Sequence, residues 1–319
     1  YSPGSHRALQ VWAASASGNA HLTRTSRAES MIITIASGKG GTGKTLVAAS
    51  LALSLAATNP GQPPLFLDCD VEAPNGHLFL HPLLSEQQEV GLLIPVVDEA
   101  ICTHCGKCAE VCQYHAIAVL GRKTLVFPQL CHGCGSCTAM CPEKAIREVP
   151  DRMGIIERGP ADAGITFARG VLDVGEPMAV PVIRQLKKWT LPQPGQLVIR
   201  DAPPGTSCPV VETVRGSHYL LLVTEPTPFG LHDLSLAAQV AGELGIPAGV
   251  VINRENGPYP ALDEFCAQNN LPVLLRIPFE RAIAEGVAQG KTLVEIHPEY
   301  GEFFRQMFKN IVCNESTQG

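Results

Sequence analysis

No apolar run in this chain of 319 residues approaches the roughly 18 residues needed to cross a bilayer, which argues against a membrane-spanning protein. Base is not in excess either: 24 Lys and Arg stand against 30 Asp and Glu, a formal charge of -6. Without a basic field the surface has little to hold a polyanion, so nucleic acid is not expected as a partner. Aromatic residues are few, but an apolar content of 45% is ordinary for a globular chain, and the length suffices for one large domain plus a small one, or two medium ones. Cysteine is the residue in abundance. Eight of the 12 fall in two tight runs separated by ordinary sequence, unlike the framework of a small disulfide-bonded secreted chain. Metal binding in a reducing compartment fits that arrangement, and a cytoplasmic location is expected.

The stretch around which the rest is organised is SGKGGTGKT, Ser37 to Thr45, between the β-branched run MIITIA and the helical pattern LVAASLALSLAA. Strand, glycine-rich turn and helix form the context in which a Walker A pattern is a phosphate site. Gly38, Gly40, Gly41 and Gly43 let successive N–H groups, with that of Thr42, face one anion at the positive end of a helix. Lys44 would reach the β- and γ-phosphates and the Thr45 hydroxyl a magnesium ion.

Two further strands end in acids. LFLDCD (Leu65 to Asp70) follows the break NPGQPP, and carboxylates at the carboxyl end of a parallel strand face the ligand crevice of an open α/β sheet. LVIRDAPPG (Leu197 to Gly205) ends its strand in Asp201, a Walker B carboxylate for magnesium, before a Pro-Pro-Gly turn.

The cysteine runs carry the most specific spacing in the chain. Cys102, Cys105, Cys108 and Cys112 read C-x2-C-x2-C-x3-C, and Cys131, Cys134, Cys137 and Cys141 repeat it, with Pro142 completing the second copy. This is the pattern of two-cluster bacterial ferredoxins, in which the fourth cysteine of each run ligates the other 4Fe-4S cluster. Cluster I would take Cys102, Cys105, Cys108 and Cys141, and cluster II Cys131, Cys134, Cys137 and Cys112. Zinc, the alternative, needs four ligands from two knuckles and leaves the third C-x2 step and the C-x3-C unexplained. His104, His115 and His132 lie beside the runs, but the cysteines already suffice.

Downstream, YLLLVTEP, AGVVINR and VLLRIP alternate with helical patterns, which predicts an α/β fold with a parallel sheet covered by helices on both faces. Residues 1 to 30, rich in Ser and Ala and nearly free of acids, are expected to lie outside the fold. Phe303, Phe304, Met307, Phe308, Ile311 and Val312 form an apolar stripe at helical spacing. Its polar face holds only Arg305 and Lys309 against Glu302, so docking onto the sheet is expected rather than binding to a membrane surface.

KGGTGKT, with Lys39 just after the first glycine, resembles the deviant Walker A of the MinD/ParA superfamily, which includes the nitrogenase iron protein and Mrp-type iron-sulfur carriers. The resemblance extends to Asp68 and Asp70 followed by Pro74 and Asn75, and to Pro203, Pro204 and Gly205, the two switch motifs. It implies that Lys39 crosses the interface of an ATP-sandwich homodimer, that Asp70 positions the attacking water and that Asp68 supports magnesium or switch geometry. Asn253 would read the adenine edge, with Pro278 and Phe279 flanking the ring. The implied protein is an ATPase of residues 31–94 and 151–319, with Lys39, Lys44, Asp70 and Asp201 at the reaction, interrupted at 95–150 by a small α+β ferredoxin-like domain. Its expected function is ATP-dependent electron transfer to a redox partner protein. Cluster assembly of Mrp type, delivering to an iron-sulfur acceptor, and a redox-sensing spatial regulator are the alternatives.

Overall fold

The computed structural model describes residues 30–315, so the extension expected at 1–30 lies, except for Ser30, outside the described residues. In chain order the strands are β1 (Ile32–Ala36), β2 (Leu65–Asp68), β3 (Glu86–Val97), β4 (Ile117–Leu120), β5 (Lys123–Val126), β6 (Ile146–Pro160), β7 (Thr166–Leu172), β8 (Val198–Asp201), β9 (Tyr219–Thr224), β10 (Ala248–Glu255) and β11 (Val273–Pro278). All but β4 and β5 form one sheet in the order β11-β10-β9-β1-β8-β2-β7-β6-β3. From β11 to β7 every pairing is parallel, while β6 and β3 add two antiparallel strands at the edge. β1 sits in the middle of the parallel part and is buried on both faces, which is why it reads as a continuous β-branched run rather than an alternation.

Helices α1 (Lys44–Ala56), α2 (His77–Leu80), α3 (Lys107–Val111), α4 (Ser136–Met140), α5 (Val180–Trp189), α6 (Cys208–Val214), α7 (Pro228–Glu243), α8 (Pro260–Gln268), α9 (Arg281–Ala288), α10 (Leu293–Ile296) and α11 (Tyr300–Glu315) complete the chain. On one face, Leu51 and Leu55 of α1 share a core with Tyr300, Phe304, Met307 and Ile311 of α11. The C-terminal stripe is therefore spent on the body of the protein, though Phe303 and Val312 remain exposed. Among the described residues no helix is long and apolar enough to cross a membrane.

The edge pair β3/β6 is a feature that no motif announced. It pairs without interruption from Glu86↔Arg158 to Val97↔Ile146, with one bulge between Val90 and Gly91. Only the part of β6 from Gly154 onward pairs with β7, so the remainder projects beyond the sheet as a two-stranded ribbon. Twelve residues of strand reach on the order of 40 Å. The boundaries expected at 95 and 150 fall inside these two strands, because the chain leaves the sheet and returns to it on one continuous ladder. At the end of the ribbon stand α3, α4 and the β4–β5 hairpin around a small core of Cys108, Ile117, Cys137 and Ile146.

α6 packs into the core through Val210 and Val214, and its C-terminal end is tied down further. The buried Arg200 of β8 donates from Nη1 to the carbonyls of Thr213 (3.0 Å) and Arg215 (3.2 Å), and Lys187 of α5 donates to those of Glu212 and Arg215. Two cations thus satisfy carbonyls at the C-terminal end, where the helix dipole is negative. Its N-cap, Ser207, makes no capping bond and follows directly on the loop after Asp201.

Candidate functional site

The turn between β1 and α1 is where the parallel strands deliver their carboxyl ends. Gly43 has φ +93, a left-handed conformation, and a Cβ there would strike the Asn253 side-chain amide, so two independent reasons demand glycine. A cleft of about 590 Å³, within the range of small-molecule sites, opens beside it. Gly40, Gly41, Gly43, Lys44, Thr45 and Asp70 line one side, and Asn253, Pro278 and Phe279 the other. The wall beyond Phe279 is α9, through Ile283, Ala284 and Val287, which no motif announced.

The acids lie as the sheet register dictates, with Asp68 directly beside Asp201 on neighbouring strands. Thr45 donates its hydroxyl to Asp201 Oδ2 at 2.5 Å, while Asp201 Oδ1 is buried without a hydrogen-bond partner. An unpartnered buried carboxylate oxygen next to a threonine hydroxyl fits magnesium, which takes few protein oxygens and keeps its waters. The Thr42 hydroxyl is likewise buried and unpartnered, as suits a phosphate neighbour. Asp68 does something else. Its two oxygens accept from the backbone N–H groups of Asp70 (3.2 Å) and Gly76 (2.8 Å), and it does not line the cleft. Of the two roles expected for it, the bracing of the loop is the one its hydrogen bonds serve here.

Gly38, Lys39 and Thr42 are also absent from the cleft lining. Gly38 is pressed against the backbone of Asp233 on α7. The Lys39 ammonium lies 3.3 Å from Glu225, which also accepts from Arg254 at 2.6 Å. Asn253, expected at the adenine, does line the cleft, but its Nδ2 donates to the Thr42 carbonyl at 2.8 Å and so tethers the phosphate loop.

Burial pushes the Asp201 carboxyl up to about 7, with the Asp70 charge adding to the shift and Lys44 and the Thr45 hydroxyl opposing it. A carboxyl whose folded pKa exceeds its unfolded value costs nothing below about pH 4; its penalty grows as pH rises to about 7 and is constant above. Asp201→Asn should therefore stabilise the metal-free, nucleotide-free protein at pH 8 by on the order of a few kcal/mol. Thermal melts at a series of pH values should show that gain shrinking steadily towards pH 4, and a gain independent of pH would contradict it.

Remote from the cleft, the cysteine module gathers its thiols into two hollows. Cys102, Cys105, Cys108 and Cys141 line one, with Val97, Val119 and Ile146. Cys112, Cys131, Cys134 and Cys137 line the other, with Leu93, Pro95 and Ile117. Each hollow thus draws three cysteines from one run and the last from the other. The two halves repeat each other's backbone: His104 and Gly133 (φ 55 and 61), Gly106 and Gly135 (80 and 72), and His115 and Lys144 (51 and 53) all take the left-handed conformation at corresponding positions. The N–H groups of Ala116 and Ala145, also corresponding, donate to Cys112 Sγ and Cys141 Sγ at 3.3 Å. Among the described residues no three His, Cys, Asp or Glu side chains stand close enough to hold a single metal ion.

Outside the module, burial raises the thiol pKa of Cys69 to about 12 and that of Cys266 to about 11, whereas Cys208 and Cys313 are exposed. Brief alkylation of the native protein at pH 8 should label Cys208 and Cys313 and spare the other two, as read by peptide mass spectrometry. Early labelling of Cys69 would mean that the core beside Asp68 opens.

Comparison with known proteins decides the family. Residues 33–294 match the CobQ/CobB/MinD/ParA nucleotide binding domain. The chain belongs to this family. Two uncharacterised proteins of Methanocaldococcus jannaschii, MJ0578 and MJ0579, are 30% and 29% identical to this chain, covering 88% and 84% of it and 96% and 93% of their own lengths. Among solved structures, the cell division ATPase MinD of Pyrococcus furiosus superposes with a TM-score of 0.51 at 21% identity, covering 88% of this chain and 99% of its own. MinD of Pyrococcus horikoshii, solved with Mg-ADP, gives the same score and identity over 88% of this chain and 96% of its own. For the CobQ/CobB/MinD/ParA member described here, these two show the fold of the sheet.

Proposed function

We propose that the protein is an ATP-hydrolysing iron-sulfur protein in which nucleotide state governs electron transfer through two 4Fe-4S clusters. The observation that carries the reading is the ribbon β3/β6, which joins two hollows of four thiols each by a continuous ladder to the sheet holding Lys44 and Asp201. The donor set fits the clusters: thiols spread over a cavity wall, with backbone N–H groups directed at sulfur, suit a polynuclear group better than one ion. Cys102, Cys105, Cys108 and Cys141 would hold one cluster, and Cys131, Cys134, Cys137 and Cys112 the other. Each cluster supplies one-electron redox chemistry; the chain supplies ligands, hydrogen bonds to sulfur and a limited exposure to water. Thiols reserved for iron call for a reducing compartment such as the cytoplasm.

At the cleft, Lys44 and the phosphate-loop amides orient the triphosphate, Thr45 and Asp201 hold magnesium, and Asp70 stands at the mouth to position water. Lys39 acts across an ATP-sandwich homodimer once it leaves Glu225. Coupling runs through the loop after Asp201. That loop feeds the N-terminal end of α6, whose Cys208 and Pro209 border the same cleft as Cys134. The partner is a redox protein or other electron acceptor.

The test is anaerobic purification with iron and sulfide counts, followed by reduction of an acceptor with ATP, with a non-hydrolysable analogue and without nucleotide. About eight irons and eight sulfides per chain are expected, with rates that differ among the three states. Zinc or empty thiols would remove the clusters from the reading, and equal rates would remove the gating.

A further inference from the structure

A second large cleft, of about 790 Å³, lies where the ribbon, the cysteine module and α5 meet. Three of its residues, Tyr114, His132 and Cys134, also line the hollow of Cys112, Cys131 and Cys137. The rings of Tyr114 and His132 stack at 3.6 Å between centroids, so this shared wall is a thin partition of two aromatic rings and one thiol. The hollow of Cys102 has no wall in common with either large cleft. The lining is mixed: Leu92, Met178 and Val180 are apolar, Gln88 and Gln185 polar, Glu89 is paired with Arg152 at 3.1 Å, and α5 brings Arg184 and Lys188 to one side. Arg184 is paired with Glu212 at 3.1 Å, whereas Lys188 is exposed and has no ion-pair partner among the described residues. A cleft of small-molecule size with apolar side chains and an uncommitted cation at its margin suits an organic anion.

We propose that this cleft binds a small, conjugated organic anion of quinone type that exchanges electrons through the Tyr114–His132–Cys134 partition. The proposal rests on the iron-sulfur reading for its redox step and on the cleft alone for its binding step. Reduction to the hydroquinone would need two electrons, which reduced clusters held by the two sets of cysteines would supply one each, and two protons from water. No bond to the protein forms or breaks.

The probe is anthraquinone-2-sulfonate. Equilibrium dialysis against the oxidised full chain should find one site, weakened roughly tenfold by Lys188→Glu, since a hydrogen-bonded charge contact is lost and reversed. Gln88→Trp, on the exposed strand lining the cleft, should change the affinity several-fold by reshaping its wall. Lys309→Glu, on α11, alters the net charge equally and should change nothing. In stopped flow, dithionite-reduced protein should be reoxidised by sub-saturating anthraquinone-2-sulfonate several-fold more slowly in Lys188→Glu, with no such difference for a neutral acceptor. Equal weakening by Lys188→Glu and Lys309→Glu, or an affinity unchanged by both Lys188→Glu and Gln88→Trp, would overturn the proposal. Binding as stated by a protein without iron would keep the cleft and refute only the electron transfer; a full iron count without binding would refute the cleft alone.

Discussion

Lys44→Ala should abolish ATP turnover. The ammonium is almost fully buried at the start of α1, borders the nucleotide cleft and holds down the carboxyl pKa values of both Asp70 and Asp201. No other cation lies among the phosphate-loop residues that line the cleft, since Lys39 is drawn to Glu225 outside it. Charge developing on the transferred phosphoryl oxygens would then face backbone amides and magnesium, since Arg254, the other cation lining the cleft, is paired with Glu225. Loss of one such preorganised donor costs about 100- to 1000-fold in rate, and a full charge at the β- and γ-phosphates should cost at least that. Phosphate release measures it. The chain should still fold, because the acids left without their cation can take up protons instead of remaining charged. Lys39→Ala supplies the contrast. With its ammonium outside the cleft, that variant should bind nucleotide within about threefold of wild type while losing turnover in the assembled dimer. Wild-type turnover by Lys44→Ala would mean that the glycine loop is not where the triphosphate reacts.

The parts of this site that were legible in the sequence are those set by local rules. Ser37 to Thr45 reads correctly because strand, turn and helix follow within a few residues, and Asp201 because a four-residue buried strand ends in it. Features decided by distant partners were not. The wall of α9 joins the cleft only through the tertiary fold, and Glu225, which holds Lys39, follows a strand that reads as ordinary core. Asp68 shows the limit most plainly. The resemblance implied magnesium or switch geometry for it, and only the fold shows that the chain turns back eight residues later and presents the Gly76 N–H to it. The ribbon was missed for a further reason: EQQEVGLLIPVV buries few of its residues, so it lacks the alternation that marks a strand on a core, and its partner lies beyond the whole cysteine module. Likeness to the two-cluster ferredoxin pattern sorted the eight thiols into two sets, and the two hollows draw on the same sets.

That sorting leads to the second large effect. Cys141→Ala should empty the hollow of Cys102, Cys105 and Cys108, although Cys141 belongs in sequence to the other run. The reason lies in α4. Cys137 on this one-turn helix lines the hollow of its own run, and the Cys141 that ends the helix lines the neighbouring one. The Ala145 N–H fixes the Cys141 sulfur there. Anaerobically purified Cys141→Ala should hold about half the wild-type iron, because a cubane bound by three thiolates and water is readily lost. The retained cluster should respond to changes around Cys134, so that Cys141→Ala combined with Cys134→Ala should hold almost no iron. Cys112→Ala is the mirror case: it should lose the hollow of Cys131, Cys134 and Cys137 and keep the other. If ligation instead followed sequence order, each run serving its own cluster, Cys141→Ala with Cys134→Ala would damage a single cluster and leave half the iron in place. The iron content of that one double variant separates crossed from uncrossed ligation, whatever the electrons are for.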